Sequence, residues 1–181
     1  MSRMWFSTMV AVAMWAGAPA AGLAQGTVTI FGSGSGAFET PGVATAGVAT
    51  ATCTLDSASS QIACSARVHN IVNLTAGHLH VGGPGTPGPV VLGIAGLPVG
   101  SSDDFVHSWT WTESDLRLRS AQGVLKMADV FESCASGNCY INFHTVTNPA
   151  GEVRINMCPQ GAAEDRFANG LYQINVCAPG R

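Results

Sequence analysis

His78 and His80 are separated by a single residue, and His144 lies much later, in the run Tyr140-Ile141-Asn142-Phe143-His144. Alternate side chains of an extended strand share a face, so His78 and His80 point one way while Leu79 and Val81 point the other. By the same alternation Tyr140, Asn142 and His144 share a face opposite Ile141, Phe143 and Thr145. If the two strands lie near each other, three imidazoles converge. Three histidines with one open position suit copper(II) or zinc. His69 and His107 are weaker candidates for a fourth ligand. A neutral imidazole is also a competent hydrogen-bond donor and acceptor, so the same residues could instead fix loops with no metal present.

Asn142, Glu152 and Arg154 are the polar neighbours expected to support this cluster. Glu152 and Arg154 stand at i and i+2, where they could form a polar site beside His144. The favoured alternative is an ion pair, or hydrogen bonds that anchor the Asn148-Pro149-Ala150-Gly151 turn, because buried charges in a charge-poor domain need partners. Trp109 and Trp111 could stack a sugar, yet their regular alternation better fits a packed sheet face. Gly82 to Gly88 is glycine-rich but lacks the Lys-Ser/Thr ending and following helix of a phosphate loop. A turn that lets backbones approach closely is the expectation. No serine sits in a Gly-x-Ser-x-Gly elbow, and paired carboxylates lack support, so no catalytic residue is assigned. Asn73-Leu74-Thr75 is a glycosylation sequon, meaningful only in a eukaryotic secretory pathway.

The elements that must position these residues read mostly as strands. Gln25 to Phe31 carries β-formers, and the alternating Gly and Ser of Gly32 to Gly36 is expected to break that run. Val43 to Leu55 and Gln61 to His69 form a hairpin about the Leu55 to Ser60 turn. Gly77 to Val81, Pro89 to Ile94, Phe105 to Thr112, Cys139 to Val146, Glu152 to Met157 and Leu171 to Val176 are further strands. One short helix is expected over Ala121 to Glu132, where Val124, Ala128 and Phe131 recur at helical spacing. Short strands divided by Gly, Pro, Asn and Ser turns predict an antiparallel β-sandwich or barrel.

The chain has 181 residues, of which only 10% are charged, with a formal net charge of −3. That leaves no basic surplus to neutralise phosphates, so nucleic acid is not an expected partner. Residues 1–24 read as a secretory signal peptide: Arg3, an apolar run from Trp5 to Trp15, then small residues from Gly17 to Ala24. The apolar core is too short to span a bilayer and no later segment is long enough, so the mature form is expected to have no membrane span. The expected location is therefore secreted or periplasmic. All six cysteines follow the signal, and an even count in an exported chain suggests disulfides. Sequence-neighbour pairing is preferred: Cys53 with Cys64 across the hairpin, Cys134 with Cys139, and Cys158 with Cys177 tying down the tail. A thiolate zinc ribbon is disfavoured because its two Cys-x-x-Cys pairs are missing.

Two segments carry a family resemblance. His78-Leu79-His80-Val81-Gly82-Gly83-Pro84-Gly85-Thr86-Pro87-Gly88-Pro89-Val90-Val91 resembles the His-x-His-x-Gly-x-x-Gly-x-x-Gly-Pro-Val-Val signature of CHRD domains. Tyr140-Ile141-Asn142-Phe143-His144-Thr145-Val146-Thr147-Asn148-Pro149-Ala150-Gly151-Glu152-Val153-Arg154 resembles their Tyr-x-Asn-x-His-Thr-x-x-Asn-Pro-x-Gly-Glu-x-Arg signature. The resemblance covers roughly Ala44 to Met157. It departs after Arg154, where Ile155 and Asn156 replace the usual Gly and polar residue. It implies an immunoglobulin-like antiparallel β-sandwich or barrel without established catalytic activity. The expected organisation is a signal peptide (1–24), a CHRD-like β domain (26–158) and a C-terminal extension (159–181) held by a disulfide.

The leading expectation is an exported binding module, with an extracytoplasmic protein or surface as partner, that holds copper or zinc through His78, His80 and His144. One alternative is a metalloenzyme with superoxide-dismutase-like redox chemistry. The spacing of the histidines is similar in outline to copper/zinc superoxide dismutase, although the zinc-ligand set of that enzyme is not recognisable. The other alternative is a structural envelope or matrix interaction domain.

Overall fold

The computed structural model describes residues 26–159. The expected signal peptide, the Leu171 to Val176 strand and Cys177 lie outside the described residues. Eight strands form one antiparallel sheet: β1 (Thr27–Ser35), β2 (Val48–Asp56), β3 (Gln61–His69), β4 (Leu74–Val81), β5 (Val90–Gly93), β6 (Phe105–Trp111), β7 (Cys139–Thr145) and β8 (Val153–Pro159). Among the described residues a single α-helix, α1 (Met127–Ala135), precedes β7. The strand order is β5-β4-β7-β8-β1-β2-β3-β6. The expected all-β architecture is therefore present, as one sheet curled into a nearly closed barrel.

The edge strands close the barrel by isolated hydrogen bonds rather than by a ladder. The Trp111 indole on β6 donates to the Gly93 carbonyl on β5 at 2.6 Å, and the Arg117 amide, just past β6, donates to the Val91 carbonyl at 2.8 Å. Such edge contacts blunt strand termini that would otherwise offer unpaired groups to another chain. Ile30, Leu55, Ile62, Leu79, Leu92, Ile141, Phe143, Ile155 and Met157 fill the interior, and α1 adds Met127, Val130 and Phe131 to it. Trp109 and Trp111 belong to the same core, their rings edge to face at 5.4 Å. They pack the sheet rather than present a stacking platform.

Two local expectations need correction. β1 runs through Gly32 and Gly34 instead of stopping before them. Those glycines serve close packing: a Cβ on Gly34 would collide with the Arg154 carbonyl of β8, and one on Gly32 would meet the Asn156 carbonyl. The helix begins at Met127, later than Ala121. Gly123 adopts φ 74°, closing a 3-10 turn over Ser120–Gln122, and such a left-handed residue ends helical winding. Beyond it, carboxylates collect the free amides at the start of α1. Asp129 accepts from Leu125 and Lys126, and Glu113 accepts from Met127. Negative charge is favoured at that end of a helix.

Two expected disulfides are present, Cys53–Cys64 joining directly opposed residues of β2 and β3, and Cys134–Cys139 joining the end of α1 to the start of β7. The third expected pair, Cys158 with Cys177, falls partly outside the described residues. Disulfides persist in oxidising compartments. No helix among the described residues is long and apolar enough to cross a membrane.

Candidate functional site

β4 and β7 are neighbours in the sheet, which brings together two motifs distant in sequence. Their register sets Ala76 opposite His144, His78 opposite Asn142 and His80 opposite Tyr140. His78 and His144 are thus diagonal neighbours on one face, close enough for long side chains to meet. His78 Nδ1 lies 2.9 Å from His144 Nε2, and the His78 and His80 ring centres are 5.8 Å apart. One ligand atom from each of His78, His80 and His144 lies within 4.8 Å of the others. A register shift between β4 and β5 falls at Leu79 and His80, where bulges commonly re-aim a side chain.

The sheet face opposite the core is buried as well, and it is polar. His80, Tyr140, Asn142, His144, Arg154 and Asn156 are all less than a tenth exposed. The loop from Gly82 to Gly88 lies across them. Arg154 Nη2 donates to the carbonyls of Gly83 (2.7 Å) and Thr86 (3.2 Å), while its Nε donates to Asn156 Oδ1 (2.9 Å). The Tyr140 hydroxyl accepts from the Gly88 amide at 3.1 Å. The Arg154 guanidinium stands 3.6 Å over the Tyr140 ring, and His80 stacks on the same ring at 4.6 Å. Because β7 lies between β4 and β8, the tyrosine is sandwiched between the imidazole and the guanidinium. The loop is a latch fastened to the sheet, as its glycines allow: a Cβ on Gly88 would strike the Val81 carbonyl.

Backbone carbonyls fix the tautomers of two histidines. His80 Nδ1 donates to Gly88 O at 2.8 Å and His144 Nδ1 donates to Pro149 O at 3.0 Å. Each then presents an unprotonated Nε2. The lone pair of His144 accepts from His78 Nδ1, whereas His80 Nε2 is buried with no hydrogen-bond partner among the described residues. All three imidazoles are held neutral. Burial, aided by the neighbouring histidines and the charge of Arg117, pushes the His78 pKa down to about 4. Burial also lowers those of His80 and His144, against the opposing effect of their carbonyl partners and, for His80, of the nearby Asn142 side chain.

Glu152 and Arg154 do not pair with each other. Glu152 precedes β8 and accepts from Thr45 (2.6 Å), Thr145 (2.5 Å) and Asn148 (3.1 Å). Burial alone would raise its carboxyl, but those three donors together hold it below the usual range. It therefore anchors the Asn148 to Gly151 turn whose Pro149 carbonyl orients His144. His69 and His107 are not part of the cluster: His69 Nδ1 is 2.6 Å from the Asp104 carboxylate, and His107 Nε2 donates to Ala95 O at 2.8 Å.

Two residues not singled out in the sequence border the site. Glu39 lies against this polar layer; burial raises its carboxyl pKa, opposed by the charge of Arg154 and a hydrogen bond from Asn142. Its Oε1, like Asn142 Oδ1, is buried without a partner among the described residues. Arg117 approaches from beyond β6, its Nη2 3.5 Å from the position a Cβ on Gly93 would take. Both come from loops distant in sequence, and no motif flanks either.

The donor set fits a metal ion. Ligating histidines characteristically donate their second nitrogen to a carbonyl or carboxylate, as His80 and His144 do. Ligands of a tetrahedral ion stand about 3.4 Å apart, closer than the 4.8 Å limit of this cluster, so loading requires a small tilt of a ring. His78 must also release its hydrogen bond to His144. The sequence profile of the CHRD domain matches residues 32–155, a span that contains every residue of the cluster. No curated protein and no solved structure matches the chain. With both signatures paired on adjacent strands and the profile covering most of its length, this chain belongs to the CHRD domain family.

Proposed function

We propose that the protein is an exported binding module that holds a copper or zinc ion through His78, His80 and His144 and acts on an extracytoplasmic protein or surface. The observation that carries the metal reading is the convergence of the three imidazoles, one ligand nitrogen of each lying within 4.8 Å of the others, with the buried Nε2 of His80 making no hydrogen bond of good geometry. A buried polar atom without a partner is costly, and its other nitrogen is committed to Gly88. A cation shared with His78 and His144 satisfies it. Nitrogen-only ligation suits copper(II) and zinc over calcium or magnesium, which prefer oxygen. The signal-peptide pattern of residues 1–24 and the two disulfides support export.

The test is titration of the purified protein with copper(II) and with zinc, read by calorimetry and by metal content after desalting. The expected result is one equivalent of tightly held ion in the wild type and none in a His78→Ala/His144→Ala double variant. Equal, weak uptake by both proteins would remove the site.

A further inference from the structure

The three imidazoles differ in access: His80 and His144 are buried, whereas His78 is partly exposed. Any open coordination position therefore lies on the His78 side. Gly93 is the directly opposed partner of His78 across β4 and β5, and opposed residues of an antiparallel pair share a face. A side chain at residue 93 would occupy the surface next to His78. Glycine leaves that surface bare, and the Arg117 guanidinium occupies it, 3.5 Å from where the Cβ would be. The Arg117 backbone is fixed to β5 through the Val91 carbonyl at 2.8 Å. Arg117 has no ion-pair partner among the described residues.

We propose that Arg117 makes the open position of the three-histidine centre an anion subsite, which takes a small monoanion as the exchangeable fourth ligand. The inference rests on the metal reading above and deepens it. A neutral trio of imidazoles leaves a divalent ion with its full charge, so an anion gains from the ion and from the guanidinium together. Arg117 is a positioning residue here: it holds the anion against the metal and is not itself a ligand. An exposed cation strengthens such binding modestly and in a salt-dependent way.

The experiment uses the copper(II)-loaded protein and azide as the probe, followed by the azide-to-copper charge-transfer absorption. Wild type is expected to bind azide with an affinity about threefold to fivefold higher than Arg117→Gln, with the difference shrinking as salt is added. Arg117→Lys should restore most of it, and both variants should still take up one equivalent of copper. Equal azide affinity in wild type and Arg117→Gln, with copper bound in both, overturns the anion subsite alone. Failure of the wild type to take up copper overturns the metal reading and this inference with it.

Discussion

The Arg154 guanidinium lies 3.6 Å over the ring of Tyr140, and the same guanidinium holds two carbonyls of the Gly82 to Gly88 loop. This one side chain of the second signature therefore fastens the glycine-rich loop of the first. The loop in turn supplies the Gly88 carbonyl that orients His80. Pairing of the two signatures in one domain follows from that dependence: each is incompletely satisfied without the other.

Replacing Arg154 by Leu should destabilise the protein by about 3 kcal/mol, since it strands the buried Asn156 Oδ1 and releases the part-buried contacts to the Gly83 and Thr86 carbonyls. Lys at this position should recover little, because an ammonium lacks the planar fork that reaches several acceptors while stacking on an aromatic ring. Urea denaturation of the three proteins checks the order. A second readout is metal affinity, which should fall in Arg154→Leu as the Gly88 carbonyl loses its restraint.

Gly34→Ala should be more damaging than a helix or loop Gly→Ala change of about 1 kcal/mol. Its methyl group would displace the β8 backbone at Arg154 and so part β1 from β8 beside the site. Soluble yield and thermal midpoint report the loss. By contrast Gly100→Ala, at φ 80° but with nothing within 4 Å of the added carbon, should cost only the strain of a left-handed residue, about 1–2 kcal/mol.

The disulfide Cys53–Cys64 encloses a short hairpin, with the cysteines 11 residues apart. Cys53→Ala/Cys64→Ala should cost about 2–3 kcal/mol through release of the unfolded chain, and less than that if the ladder between β2 and β3 preserves contacts in the denatured state. Denaturation with and without reductant should shift the wild type but leave the part of the shift due to this bridge absent in the variant.

Acid should weaken the metal-free protein in a defined window. His78, His80 and His144 all have pKa values lowered by burial, His78 to about 4. The unfolded chain takes up these protons near pH ~6.5, so it binds more protons than the folded chain between the two values. Stability is then full above the unfolded pKa and declines as pH falls toward about 4. Glu152, whose carboxyl is lowered by its donors, adds a further loss with the same sign at more acidic pH. Chemical denaturation in a chelator-containing pH series checks the trend; a flat profile between those pH values contradicts it.

Much of this was legible in the chain itself. Gln61 to His69 alternates strictly between turn signals, and β3 has those bounds. The His-x-His face and the Tyr140, Asn142, His144 face follow from the two-residue period of a strand, and only their adjacency had to come from the sheet. Gly32 and Gly34 misled because a glycine that ends a strand and one that admits a neighbouring backbone look alike until β8 is placed beside β1. Gly123 was visible within the helical run, but only its left-handed conformation shows that winding restarts at Met127. Glu39 and Arg117 reach the site from distant loops, where no local spacing marks them. Burial of both sheet faces also hid the polar layer, since in β7 every residue is buried and alternation separates two interiors instead of inside from outside.

The proposed metal centre places one ion among His78, His80 and His144. Its most direct test is anomalous diffraction from crystals grown with copper(II) or zinc, collected at the absorption edge of the metal used. A single strong anomalous peak is expected about 2.0–2.1 Å from one nitrogen of each of the three imidazoles, with Nε2 of His80 and His144 as the ligating atoms and their Nδ1 atoms still donated to Gly88 and Pro149. Crystals saturated with metal that show no peak there, with His78 Nδ1 still hydrogen-bonded to His144, would contradict it.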